Sequence, residues 1–166
     1  MADQRVGQAT RVVCGLSSPA EERRVRARLP QFEPITLAAS HGWTTVDLTR
    51  LLPEFLAAHK YRESIFQKPE RLRVGNHLEI HAATLVKEAC SRGGTGSVVA
   101  VTGLASLFDF VRVSSLIERV EDAVLGRLLA LFPGEYAGNV YRFMDARDGF
   151  NYMAVPITST ESFIKP

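Results

Sequence analysis

Three groups of residues have types and spacings that could do chemistry. The first is the run Gly15-Leu16-Ser17-Ser18, between an apolar segment and a helix-start signal, where a nucleotide-binding α/β protein places its phosphate cradle. A cradle needs a glycine run, or a lysine followed by Ser or Thr, and this run has neither. Glu21 and Glu22 moreover put negative charge where a phosphate would sit. The second group is His77 and His81, four apart on one helical face, a spacing able to hold zinc. The zincin pattern needs a glutamate directly after the first histidine. Here the acid is Glu79, about 200° around the helix from His77, and no third ligand is indicated. The third group follows the apolar run Val98–Val101. Asp109 and Arg112 lie beyond it, at the carboxyl end of an expected parallel strand, where α/β proteins place ligands. That run ends in Thr102-Gly103, without the acidic pair that would hold magnesium.

Serines are plentiful, but none sits in a G-x-S-x-G elbow, and no histidine follows residue 81. A hydrolase triad in the usual α/β order is thereby excluded. Near the C-terminus, Gly134 and Gly138 flank Glu135 and Tyr136, and Arg142, Asp145, Arg147, Asp148 and Tyr152 cluster around an expected hairpin. These residues fit either a site or turn chemistry with surface ion pairs. No catalytic set, metal or cofactor is expected.

Net charge is +2, unevenly spread. Residues 1–92 hold 14 Lys and Arg against 10 Asp and Glu, and residues 93–166 hold 6 against 8. The basic excess gathers at Arg23, Arg24, Arg26 and Arg28 and again at Arg62, Lys68, Arg71 and Arg73. Arg23, Arg24 and Arg28 are candidate nucleic-acid contacts. The adjacent acids Glu21 and Glu22 equally suit a solvated helix face.

The elements that would position these residues follow from periodicity. With 166 residues, 46% hydrophobic and 23% charged, the chain fits one globular domain over 11–166 after a frayed stretch at 1–10. No apolar stretch approaches the roughly 18 residues of a membrane span, and the first ten residues lack a signal-peptide core, so a cytoplasmic location is expected. Cys14 and Cys90 are then expected as buried, reduced thiols.

Val12–Leu16 reads as a first strand, Ser18-Pro19 as a helix start and Ile35–Ala39 as a weaker strand. Trp43–Asp47 continues extended structure. Leu52 to about Lys60 is helical, because Pro53 is tolerated only near a helix start. Residues 61–76 read as a surface excursion, either a lid or a partner contact. Asn76 with Glu79 begins a helix that Gly93 ends. Val98–Val101 is a strand buried on both faces, Ser115 with Glu118 forms a capping box, and Leu128–Phe132 is a strand stopped by Pro133-Gly134. Asn139–Met144 and Asn151–Ile157 make a final antiparallel hairpin, with Pro156 suited to an edge. The fold expected is three-layer α/β: a mostly parallel central sheet, helices on both faces, and an antiparallel C-terminal hairpin at the edge.

Several segments go beyond this generic pattern: Gly103–Leu107, Phe110 with Arg112–Ser114, Phe132–Gly138, and Gly149–Tyr152. They resemble the BrxB family of bacteriophage-exclusion (BREX) defence clusters. In that family a Gly-(Val/Leu)-(Gly/Ala)-Ser-Leu strand end precedes an aromatic and Arg-Val-Ser, followed by Phe-Pro-Gly-x-Tyr-x-Gly and Asp-Asn-Tyr-Tyr. The last motif departs here, as Asp148-Gly149-Phe150-Asn151-Tyr152. The resemblance implies a non-catalytic part of an anti-phage system. Its partners would be a PglZ-type alkaline-phosphatase-like protein, a DNA methyltransferase and a large ATPase. An adaptor that docks the PglZ-type protein would use the Phe132–Gly138 turn and the hairpin. The candidate surface is then Asp109, Arg112, Glu135, Tyr136, Arg142, Asp148 and Tyr152. A degenerate nucleotide-binding protein and a basic-helix nucleic-acid binder are the alternatives.

Overall fold

The structure is a computed structural model that describes residues 11–17, 21–137, 140–143 and 154–158. Strand β1 (Val12–Ser17) is followed by helices α1 (Glu22–Arg28) and α2 (Phe32–Ala38), joined through a 3₁₀ turn at Leu29–Gln31. Strand β2 (Gly42–Asp47) leads to α3 (Leu51–Ala58), α4 (Arg62–Gln67), a 3₁₀ stretch at Pro69–Asn76, and the long helix α5 (His77–Gly93). Then come β3 (Ser97–Thr102), a 3₁₀ turn at Leu104–Leu107, α6 (Val113–Val120), β4 (Arg127–Ala137), β5 (Val140–Phe143) and β6 (Val155–Thr158).

The sheet order is β2-β3-β4-β1-β6, and all four contacts along it are parallel. β5 pairs antiparallel with the Gly134–Ala137 end of β4. The fold is therefore α/β with a mostly parallel sheet. The chain steps one way from β2 to β3 to β4, and the opposite way from β1 to β2. Right-handed crossovers thus set α3 to α6 on one face and α1 and α2 on the other. Val12 and Cys14, Val99 and Val101, and Leu128 and Ala130 supply three strands' share of the core. Leu78, Ala82, Val86 and Ala89 of α5 and Leu116, Ile117 and Val120 of α6 cover them. Among the described residues, no helix is long and apolar enough to cross a membrane.

Several local expectations are corrected. Ile35–Ala38 is helical, within α2, and Ala39 is its C-cap. Pro34 falls in the first turn, where its missing N–H costs nothing, and the Thr36 hydroxyl donates to the Phe32 carbonyl at 2.7 Å. The second strand is Gly42–Asp47, and it lies at the far edge from β1. Residues 61–76 contain α4 and the 3₁₀ stretch, anchored by the buried Ile65 and Leu72. Pro133 does not end β4. β3 pairs with β4 only as far as Ala130, so beyond it the proline has no ladder on that side to break. Among the described residues, the two C-terminal segments pair with other strands and not with each other: β5 joins β4, and β6 joins β1 in parallel as an edge strand carrying Pro156. The Ser18-Pro19 helix start and the 1–10 segment lie outside the described residues.

The expected caps also do different work. Asn76 enters α5 with φ of 52° and makes no side-chain cap hydrogen bond. Ser115 likewise does not cap, since α6 begins at Val113. Its hydroxyl instead donates to the Glu79 carboxylate at 2.8 Å, which also accepts from the Arg119 guanidinium. Glu79 is buried, so this bridge ties α5 to α6 inside the core layer. Glu79→Ala strands the Ser115 hydroxyl and frees Arg119, which is exposed enough to be resolvated. The expected loss is about 1–3 kcal/mol, read from the urea midpoint, with Glu79→Gln recovering part of it.

Both cysteines are buried free thiols. Burial pushes Cys14 up to about 12 and raises Cys90 as well. At pH 8 the folded protein should leave a thiol-specific disulfide reagent unconsumed, and both thiols should react once the chain is unfolded.

Candidate functional site

The carboxyl ends of β2 and β3 bring together the polar groups that come nearest to a site. Asp47 closes β2, and its carboxylate accepts from the Thr49 amide at 2.9 Å. The two residues thus form an Asx turn with the Thr49 hydroxyl also donating to Asp47. Arg26, from α1 on the other face of the sheet, reaches over and pairs with Asp47 at 3.2 Å while donating to the Thr49 hydroxyl. The first helix is thereby pinned to the end of the second strand. Burial pushes the Asp47 carboxyl up, but the Thr49 hydroxyl and amide, Arg26 and Thr102 together outweigh it and hold the group below its ordinary value.

Gly103 follows β3 with φ of 75°, and a Cβ there would lie 2.4 Å from the Thr49 nitrogen. Only glycine permits that approach. The Ser106 hydroxyl donates to the Gly103 carbonyl at 2.6 Å and lies 3.1 Å from the Leu48 carbonyl, so the turn after β3 is sewn to the turn after β2. Asp109, with φ of 73°, is held from the other direction. Its carbonyl accepts from Arg73 at 2.7 Å and its carboxylate pairs with the same guanidinium at 3.0 Å. The 62–76 excursion is thus clasped to the β3–α6 connection. One oxygen of each of the Asp47 and Asp109 carboxylates, and the Asp109, Gly103 and Leu48 carbonyls, accept from the protein's own donors. Among the described residues, no buried side-chain polar atom lacks a partner. What the arrangement does chemically is fasten loops.

The other candidates fall in separate places. Arg112 is exposed at the start of α6, and Asp109 pairs with Arg73 instead. Gly15, Leu16 and Ser17 belong to β1 itself, not to a loop. A Cβ on Gly15 would come within 2.4 Å of the Leu131 side chain, so this glycine answers to packing. His77 and His81 are both exposed on α5, and the His81 ring lies against Phe55 at 6.0 Å. Among the described residues, no group of three or more metal-donor side chains occurs. Arg23, Arg24 and Arg28 are exposed along α1, while Arg26 turns inward to Asp47. Glu135 and Arg142 stand opposite each other in the β4–β5 ladder, both exposed. Tyr136 is half-buried against the core. Asp148 and Tyr152 lie outside the described residues.

The sequence placed Arg26 and Arg73 only in basic clusters and Ser106 only in a motif, and it assigned Thr49 no role. Asp47-Leu48-Thr49 is a readable Asx-turn signal. Arg26 and Arg73 carry no such signal, because their partners are 21 and 36 residues away.

Since Asp47 titrates below its ordinary 3.8 in the folded chain, its clasp contributes fully above that value and is lost as pH falls through the lower one. Thermal midpoints should therefore drop as pH goes below roughly 4, and Asp47→Asn should flatten that drop while lowering the midpoint at neutral pH. Compared with known proteins, the chain matches no family model, no curated protein and no solved structure.

Proposed function

We propose that the protein is a non-catalytic component of a BREX-type anti-phage system, an adaptor that docks a PglZ-type protein through the ribbon formed by the end of β4 and β5. The motif resemblance in residues 103–157 supports the system. One structural observation supports the surface. β4 runs for 11 residues beside neighbours of 6, and its last four leave the parallel sheet to pair with β5.

A two-stranded ribbon alone is marginal in water, so it must be anchored. Tyr136 supplies that anchor by packing on the core. The exposed Glu135 and Arg142 then offer a cross-strand pair of opposite charges to a partner. Such a pair contributes only a few tenths of a kcal/mol to the fold, so it can be altered without unfolding the ribbon. Its value lies in orienting a charged partner surface. The DNA methyltransferase and the large ATPase of such a cluster would be reached indirectly.

Binding of the purified protein to each product of a BREX cluster tests the reading. Capture of the PglZ-type protein is expected, weakened about tenfold by Glu135→Arg or by Arg142→Glu, with helical content unchanged. Loss of defence in these variants with every pairwise affinity intact would count against an adaptor.

A further inference from the structure

Among the described residues, β2 is the outer strand on its side of the sheet. Gly42 donates its amide to Gly96, and Leu48 donates to Thr102, each at 2.9 Å, so even-numbered residues face β3. By strand alternation, the N–H and C=O groups of Trp43, Thr45 and Asp47 point away from the sheet. Such an edge templates pairing with another strand, and sheets blunt it with proline, lysine, bulges or a cover. The opposite edge, β6, carries Pro156. β2 carries no proline, lysine or bulge, and among the described residues no strand pairs with its outer side: it reads Gly-Trp-Thr-Thr-Val-Asp and keeps an unbroken register with β3.

The surroundings of β2 are largely apolar up to Val46, with the ion pair of Asp47 and Arg26 at its end. Phe32 of α2 stacks on Trp43, with ring centroids 6.5 Å apart and planes 11° from parallel. Phe32 is 48% exposed, Ile35 68% and Leu37 53%. From Leu29 to Asp47 the only Asp, Glu, Lys or Arg residues are Glu33 and Asp47, the latter paired with Arg26, in a chain where such residues make up 23%. Depletion of charge marks the centre of an interface. It also bears on the occupant. A patch that meets its own copy across a twofold axis meets its own charges; this one brings Glu33 and Asp47, and Asp47 already carries its own counter-ion, Arg26.

We propose that β2 pairs antiparallel with β2 of a second copy of this chain, across a twofold axis through Thr45, merging the two sheets into one. This register uses every outward-pointing residue: Thr45 faces its own copy, and Trp43 faces Asp47 on each side. Opposed residues share a face, as a ladder requires. The same axis sets α2 beside its copy, covering Phe32 and Ile35. The proposal does not depend on the adaptor reading, whose ribbon grows from β4.

Light scattering and sedimentation of the full chain test it. A particle of twice the 18.3 kDa chain mass is expected, dissociating on dilution. Hydrogen exchange should show the Trp43, Thr45 and Asp47 amides protected at high concentration and at least tenfold faster on dilution. Thr45→Pro removes an outward N–H and none of the β3 ladder, so it should yield a folded species of single-chain mass. Ile35→Glu places like charges beside each other and should weaken association at least tenfold, which covers the case of a misfolded proline variant. A wild-type chain that stays at single mass at every concentration would overturn the proposal. So would a dimer that withstands Ile35→Glu and a folded Thr45→Pro, or an open-ended assembly.

Discussion

A parallel sheet carries its apolar side chains on both faces, so both faces need cover. That requirement organises this molecule, and it is met unequally. One face has the 17-residue α5, with α6 beside it, and beneath them lies the continuous core. Among the described residues, the other face has two helices of seven residues each, and the turn that joins them contributes the one buried side chain, Leu29. Phe32, Ile35 and Leu37 on α2, and Val155 and Ile157 on β6, remain exposed as a result. The unevenness is a property of the connections: the crossover from β1 to β2 has to span three strand positions with little helix to spend on cover.

Where helices do pack well, polar groups have been drawn into the layer and satisfied there. Glu79 is the clearest case. A carboxylate facing a helix interface would be costly alone, and it is tolerated because Ser115 and Arg119 both donate to it. At the carboxyl edge of the sheet, Asp47 and Asp109 are handled similarly, by Arg26 and Arg73. These are the positions where an α/β protein would receive a ligand, and here they hold the molecule's own loops.

The sequence showed the strands and helices whose apolar periods are long: β1, α5, β3, the first half of β4, and the edge character of β6. It misled where a local signal had two readings. The apolar run at Ile35–Ala39 is too short to show its period, and Pro34 suits a helix start as readily as a strand break. Ser115 and Glu79 were each spaced for a cap, and tertiary contact between them won over both caps. Pro133-Gly134 looked like a stop because the ending of β3 beside it cannot be read from the residues of β4. For the candidate site, Asp109 was legible by its place after β3. Its partner Arg73 was not, since nothing local to either residue encodes an ion pair between an excursion and a loop.

The pairing of β1 sets a timetable for biosynthesis. Val12 lines up with Leu128, so β1 has an interior place in the sheet that cannot exist until more than a hundred further residues are synthesised. At ribosomal speed it waits on the order of ten seconds, an apolar segment without neighbours. β2 and β3 can meet and receive α5 well before that. Among the described strands, β1 is therefore made before β2 and β3 yet finds its place after they can meet.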